Sequence, residues 1–210
     1  ALGKFDGMHK GHQLIFDELI QYKQLGYQAA VFSFDRPPLN MLKHKHMRVI
    51  YTTNEKIKLL ARRGIDIYIE HPFTDEFSHL SPEDFVIKVL LEKTGMKVLV
   101  VGDDCGFGYK RQGNVELLER MSKEYDFKLI VIPKLELEGE IVSSTRIRHL
   151  LSEGKVEEAN RLMEDPFMIC GSVVHGNHMG AEVLQMPTAN QIPLEDKLLP
   201  PNGVYVSRIH

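Results

Sequence analysis

The chain has no tryptophan, only two cysteines and few aromatic residues, 8% in all. Cys105 and Cys170 form no Cys-x-x-Cys pair. A disulfide framework and a cysteine-based zinc site are therefore not expected, and a reducing cytoplasm fits. No apolar run approaches the ~20 residues that a helical membrane span needs. No charged-then-apolar leader opens the chain, no tract is of low complexity and no internal repeat is visible. Neither sign of charge dominates: the net charge is -3 and the pI ≈ 6.4. That balance argues against a dedicated nucleic-acid surface. What is present is ordinary for a globular protein, 43% hydrophobic and 26% charged over 210 residues. A core of useful size can form without a covalent staple. The length is about 1.4 domains at roughly 150 residues each.

Up to about residue 165 two periodicities alternate. Ala1-Leu2-Gly3 reads as the last residues of a strand whose beginning lies before the chain. His12 to Leu25 reads as a helix, with Ile15, Leu19 and Tyr22 at helical spacing. Tyr27 to Phe34 is a short apolar β-rich run, broken at Asp35-Arg36-Pro37-Pro38. Thr52-x-x-Glu55 is a capping-box signal for a helix that ends near Gly64. Asp66 to Glu70 reads as a strand. Ser81-Pro82-Glu83-Asp84 opens a helix that ends at Gly95. Lys97 to Val101 is the next strand. After a glycine-rich loop, Asn114 caps a helix to about Tyr125, and Phe127 to Ile132 is a further strand. Ser144 to Leu151 and Val156 to Met163 read as short helices. Strands apolar on both faces, alternating with helices, predict an α/β fold with a doubly wound parallel sheet. The pattern changes at Asp165-Pro166. Phe167 to Val174 and Gly203 to Ile209 read as β, with turns between them. Two units are therefore expected, residues 1–165 and an incomplete all-β unit over 166–210.

Ligands of such sheets sit beyond the carboxyl ends of the strands, and three loops there carry unusual residues. The first, Gly3 to His12, joins the first strand to the first helix and places His9 and His12 at the helix start. Free N–H groups and the helix dipole make that position an anion site, and Gly11 lets backbone approach a phosphate. The second, Ser143-Ser144-Thr145-Arg146-Ile147-Arg148, sets three hydroxyls at a helix start. Ser144 or Thr145 is expected to cap it, and Arg148 aims a guanidinium one turn on. The third, Gly102 to Gly108 followed by Lys110 to Asn114, combines glycines, paired acids and an aromatic. It suits a planar ligand with a phosphate nearby, or a plain mobile loop.

Taken together, these loops resemble the bacterial bifunctional riboflavin kinase/FAD synthetase family. Gly3 to His12 resembles its G-x-F-D-G-x-H-x-G-H segment, and Ser143 to Arg148 reproduces its S-S-T-R-I-R. Phe34-Asp35 with Pro38, Thr52 to Lys56, Pro72 to Phe77 and Leu80 to Glu83 also resemble family segments. So do Gly171 to Gly176, Pro187 to Asn190 and Leu199 to Tyr205 beyond the boundary. The resemblance implies a Rossmann-like nucleotidylyltransferase followed by a partial antiparallel β-barrel of riboflavin-kinase type. It implies transfer of AMP from ATP to FMN, giving FAD and pyrophosphate, with Mg²⁺. His9 and His12 are then expected at the ATP phosphates, stabilising the α-phosphate, with Ser144, Thr145 and Arg148 on the β- and γ-phosphates. Gly3, Phe5, Gly7, Gly11, Ser143 and Arg146 complete the ATP site. Asp35, Asp104, Phe107, Arg111 and Asn114 line the flavin pocket. Asp6 orients the loop or assists the metal.

The sequence also departs from the family pattern. Lys4 stands where the family commonly has asparagine, and Cys105 where it has an aromatic. In the kinase part, Gly180 to Asn190 lacks an arginine and a glycine of the family's phosphate-binding loop. Thr188 and Asn190, the family's metal and nucleotide positions, remain as a vestigial site. The chain stops at His210, before the family's catalytic glutamate, so riboflavin phosphorylation by this polypeptide is expected to be absent or impaired. The basic run Lys43 to Arg48 reads as a solvated loop, and His175 with His178 as part of a glycine-rich turn. Two other readings stay open: a nucleotidylyltransferase with a different phosphate acceptor, and a flavin- or nucleotide-binding regulator without turnover. The expected partners are small molecules, with no nucleic acid and no membrane.

Overall fold

A computed structural model describes residues 1–35, 48–174 and 189–209. The Arg36–Pro38 break, the basic run up to Met47, His175, His178 and the Gly180–Thr188 segment lie outside the described residues.

Residues 1–165 are mixed α/β with two parallel strand pairs. Strands β1 (Ala30–Phe34) and β2 (Ile67–His71) pair in parallel, Ala30 opposite Ile67. Strands β3 (Val98–Gly102) and β4 (Lys128–Ile132) do the same, Val98 opposite Lys128. Residues 1–3 run between the pairs. Phe32 N–H donates to the Ala1 carbonyl at 2.8 Å, Gly3 N–H to Phe32 at 3.1 Å and Leu2 N–H to Val100 at 3.4 Å. Helices α1 (Lys10–Gln21), α2 (Thr53–Arg62), α3 (Asp75–Ser78) and α4 (Pro82–Asp84) occupy the connections. The last continues as a wider π-helical stretch, Phe85–Lys93. Helices α5 (Val115–Glu124), α6 (Ser144–Ser152) and α7 (Val156–Leu162) follow.

Burial explains the layering. Along β3, Val100 belongs to one buried cluster with Phe5, Phe16, Tyr51 and Ile147. Its neighbours Leu99 and Val101 belong to another with Phe32, Phe85 and Leu118. Alternate side chains of a strand point to opposite faces, so a strand apolar at every position needs cover on both. Each aliphatic or aromatic side chain so buried contributes about 1.5–3 kcal/mol.

Most helix starts follow their caps. Thr52 Oγ1 accepts from Glu55 N–H at 3.4 Å, and Glu55 Oε2 accepts from Thr52 N–H at 2.8 Å, a complete capping box. Ser81 and Asn114 cap as expected. At α6 the cap is Ser143, whose Oγ accepts from Arg146 N–H at 3.2 Å. Ser144 and Thr145, expected as caps, already lie inside the first turn. The short helix α3 and the hairpin β5 (Glu136–Leu137) with β6 (Glu140–Ile141) were not expected. Both are too brief for periodicity to register.

After α7, strand β7 (Gly171–Val174) pairs antiparallel with β8 (Asn190–Pro193). Gly203 to Ile209 forms no strand, and Val204 and Val206 are fully exposed. A β-rich run becomes a strand only where a neighbour accepts its hydrogen bonds. Two paired strands and no closed barrel are present among the described residues.

Candidate nucleotide site

The loop from Gly3 to Lys10 is held in an uncommon conformation. Phe5 and Met8 have φ of 48° and 43°, a region bulky residues rarely occupy. Packing imposes it: Phe5 is buried, its ring 5.0 Å from Phe16 and 5.0 Å edge-on from His12. The Ser33 hydroxyl donates to the Lys4 carbonyl at 3.2 Å. His9 then caps α1, its Nδ1 accepting from His12 N–H at 3.3 Å. A Cβ at Gly11 would lie 3.2 Å from that Nδ1, so a side chain there would press on the imidazole.

The two histidines stack, ring centroids 3.6 Å apart at 19°. Burial lowers the His9 pKa to about 4, with the Asp104 carboxylate raising it in opposition. Burial, and then His9 itself, hold His12 well below the usual imidazole value. Both rings are therefore neutral at pH 7. Because His9 Nδ1 is an acceptor, its proton sits on Nε2, leaving that edge as a donor. His12 Nδ1 is buried without a hydrogen-bond partner among the described residues, an arrangement that a bound polar group would relieve.

The start of α6 is drawn against this loop from the far end of the unit. Gly7 N–H donates to Ser144 Oγ at 3.2 Å. A Cβ on Gly7 would come within 3.1 Å of that oxygen. Arg148 donates through Nη2 to Asp6 Oδ2 at 2.5 Å and through Nη1 to the Arg48 carbonyl. Asp6 Oδ1 accepts from Ile50 N–H at 3.0 Å. Burial raises the Asp6 pKa, and the Arg148 guanidinium opposes that. Two helix amino termini, each an anion site, thus meet at the carboxyl ends of the strands. Thr145 is exposed on the first turn of α6. Arg146 pairs with Glu140 at 2.9 Å, and its Nη1 is buried without a partner among the described residues. An apolar cavity of about 420 Å³ lies at the other ends of the strands, lined by Tyr22, Tyr27 and Met96 among others, and includes none of these groups.

The loop after β3 is divided. Asp104 and Arg111 are exposed. Their charges act on His9 and on Lys4, whose pKa is lowered by burial and then by Arg111. Phe107 and Asn114 also have partners within the fold. The Phe107 ring is buried 5.8 Å from Phe85, and its backbone exchanges hydrogen bonds of 3.1 and 2.9 Å with Gly113. Asn114 Oδ1 is engaged as the α5 cap at 2.9 Å. Asp35, at the end of β1, accepts from Phe73 N–H at 2.9 Å. In the second unit Asn190 lies in β8 opposite Val174, and Thr188 is outside the described residues.

For Mg²⁺, no group of three histidine, cysteine, aspartate or glutamate side chains is placed to hold a cation among the described residues. Both oxygens of Asp6 already have protein partners, which favours the loop-orienting role over a metal-ligand one. Among the described residues no helix is long and apolar enough to cross a membrane.

Sequence reasoning missed Arg48, Ile50 and Lys197. The first two act through backbone atoms, which leave no mark on residue type. Lys197 follows Glu195 and Asp196 in sequence; in the structure its side chain is fully buried against Glu55.

Residues 1–146 match the FAD synthetase family and residues 163–210 the riboflavin kinase family. A bifunctional riboflavin kinase/FMN adenylyltransferase of Buchnera aphidicola subsp. Schizaphis graminum is 39% identical, over 100% of this chain and 67% of the relative. That of Listeria monocytogenes is 36% identical over 98% of this chain and 65% of the relative. That of Escherichia coli K12 is 31% identical over 100% and 67%. The chain thus spans about two thirds of the length of these relatives. A solved Streptococcus pneumoniae structure described as a macrolide-efflux protein superposes with a TM-score of 0.83 at 31% identity, over 97% of this chain and 67% of that one. On these matches, the chain belongs to the bifunctional riboflavin kinase/FMN adenylyltransferase family, with its FAD synthetase part in residues 1–146.

Proposed function

We propose that the protein is an FAD synthetase, transferring AMP from ATP to FMN and releasing pyrophosphate. The observation that carries this reading is the meeting of the α1 and α6 amino termini, joined by Gly7 to Ser144 and by Asp6 to Arg148. An oxygen of the FMN phosphate attacks the α-phosphorus. The bond from that phosphorus to the bridging β-oxygen breaks, and pyrophosphate leaves with the electron pair. The nucleophile is already anionic near neutral pH, so catalysis reduces to alignment and charge stabilisation. His9, through its Nε2–H, and His12 stabilise the α-phosphate. The negative charge of bound triphosphate raises both imidazole pKa values and strengthens these contacts. Ser144, Thr145 and Arg148 hold the β- and γ-phosphates. Arg148 has five N–H donors and retains some after its bonds to Asp6 and Arg48. Gly3, Phe5, Gly7, Gly11, Ser143 and Arg146 shape the ATP site.

In this reading Asp35, Asp104 and Arg111 approach the flavin, while Phe107 and Asn114 support the loop from behind. Mg²⁺ enters with the ATP phosphates as part of the substrate, because it commonly keeps several waters and few protein ligands. The first unit, residues 1–165, is a doubly wound Rossmann-like nucleotidylyltransferase. The second, 166–210, is of riboflavin-kinase type, with Thr188 and Asn190 at its metal and nucleotide positions. The substitutions within Gly180 to Met186 predict weak or no phosphorylation of riboflavin.

Incubation with ATP, Mg²⁺ and FMN tests the proposal: FAD and pyrophosphate should appear together. Pyrophosphate released only with another phosphate acceptor, or flavin binding without turnover, would overturn it. Riboflavin in place of FMN should give little FMN.

A further inference from the structure

One buried side chain from residues 166–210 is bonded to the segment that borders the nucleotide site. Lys197 has no exposed side-chain surface, and neither has Glu55. Its ammonium donates to Glu55 Oε2 at 2.7 Å, to the Ile50 carbonyl at 2.6 Å and to the Met168 carbonyl at 2.8 Å. Three acceptors use all three N–H donors of the charged form. The Tyr51 and Phe167 rings lie 4.8 and 4.4 Å from the nitrogen. Around it the backbone is tied as well. Val49 N–H donates to the Asp196 carbonyl and Leu198 N–H to the Val49 carbonyl, each at 2.7 Å.

The opposite edge of the same short segment grips the site. The Arg48 carbonyl takes one nitrogen of Arg148, and Ile50 N–H takes one oxygen of Asp6. A continuous path therefore runs from Lys197 through the backbone of Ile50 to Asp6 and Arg148. Nothing else in the reaction mechanism uses this buried lysine.

We infer that Lys197, from the riboflavin-kinase-like region, is a positioning residue for adenylyl transfer, fixing the 48–50 segment that aims Arg148 at the ATP phosphates. This rests on the adenylyltransferase reading above. The Lys197 side chain touches no substrate; its effect is on where the guanidinium lies. A misplacement of about 1 Å in such a group can cost on the order of 100-fold.

Removing Lys197 alone leaves Glu55 buried without its cation, which by itself destabilises the fold. The test therefore compares Glu55→Gln/Lys197→Met with Glu55→Gln and with the unaltered chain. FAD formation from MgATP and FMN is measured well below each melting midpoint. The KM for ATP should rise about tenfold or more in the double variant, with the KM for FMN unchanged. Adding Asp6→Asn should then cost little more, since changes along one path are not additive. A KM for ATP equal to that of Glu55→Gln, or a fully additive Asp6→Asn effect, overturns the inference.

Hydrogen exchange of the unaltered chain decides the matter if the double variant does not fold. Addition of a non-hydrolysable ATP analogue should protect residues 48–52 and 194–198 together. Protection of the first segment without the second overturns the inference. An unaltered chain that binds the analogue but makes no FAD fails the adenylyltransferase reading alone, and the exchange result still stands or falls separately.

Discussion

The nucleotide mouth and the loop after β3 look alike in sequence, since both are glycine-rich, charged and placed between a strand and a helix. They are built differently. In the mouth, the imidazoles of His9 and His12 stack with a polar atom left unpartnered among the described residues, and a second helix start is bonded across from residues 143–148. In the loop from 102 to 114, the residues that look most like ligand contacts serve the fold: Phe107 fills a core and Asn114 caps a helix. A ligand site is recognised by polar groups whose bonds the fold leaves open, and residue type alone does not report that.

Four experiments break or sharpen this contrast. The largest effect is expected at Phe107→Ala. Loss of a buried phenyl ring should cost about 3–5 kcal/mol of stability, read from the denaturant midpoint. The rate of FAD formation per folded molecule should stay near that of the unaltered chain. A rate loss without a stability loss would move Phe107 into the flavin site and erase the contrast. His12→Ala should do the reverse, slowing FAD formation by about 10²–10³-fold while the melting midpoint moves little. FAD formation at the full rate would remove His12 from the reaction.

The next is a pH dependence. His9 has a pKa of about 4 in the folded protein against 6.5 ordinarily. As pH falls, the unfolded chain takes up the proton first. Its contribution to stability is complete above 6.5, declines between 6.5 and 4, and changes no further below. The decline should be about 3 kcal/mol, and His9→Gln should make it shallower, the buried His12 still contributing in the same sense. Thermal melts at half-unit pH steps would show this; an unchanged slope in the variant counts against a buried neutral His9.

The smallest effect is at Asn114→Ala, about 1 kcal/mol for a lost helix cap, with the KM for FMN unchanged. A raised KM would return Asn114 to the flavin site.

Much of the first unit was legible in advance because local rules acted without opposition. The Thr52–Glu55 capping box, the Ser81-Pro82 helix start and the paired apolar strands formed as their sequences indicate. Gly3 to His12 and Ser143 to Arg148 were legible as candidate anion sites for the same reason, since a helix start is a local feature. The α6 cap fell on Ser143 because three adjacent hydroxyls offer three starts. Only the bond from Gly7 to Ser144 marks which hydroxyl is already engaged by the first loop. Gly203 to Ile209 has strand composition without a partner strand among the described residues, so composition alone did not produce a strand.

By itself, then, the sequence determined the alternation of strands and helices, the carboxyl-end loops as the place for chemistry, and the residue types that suit phosphate. These follow from spacing within a few residues. The tertiary structure decided which of those residues face one another. It set Asp6 against Arg148, divided the loop after β3 between mouth and core, and buried Lys197 beneath Ile50. The Asp6–Arg148 and Lys197–Ile50 contacts join residues more than a hundred positions apart, and such energies depend on burial and on unfilled hydrogen bonds, which exist only once the chain is folded.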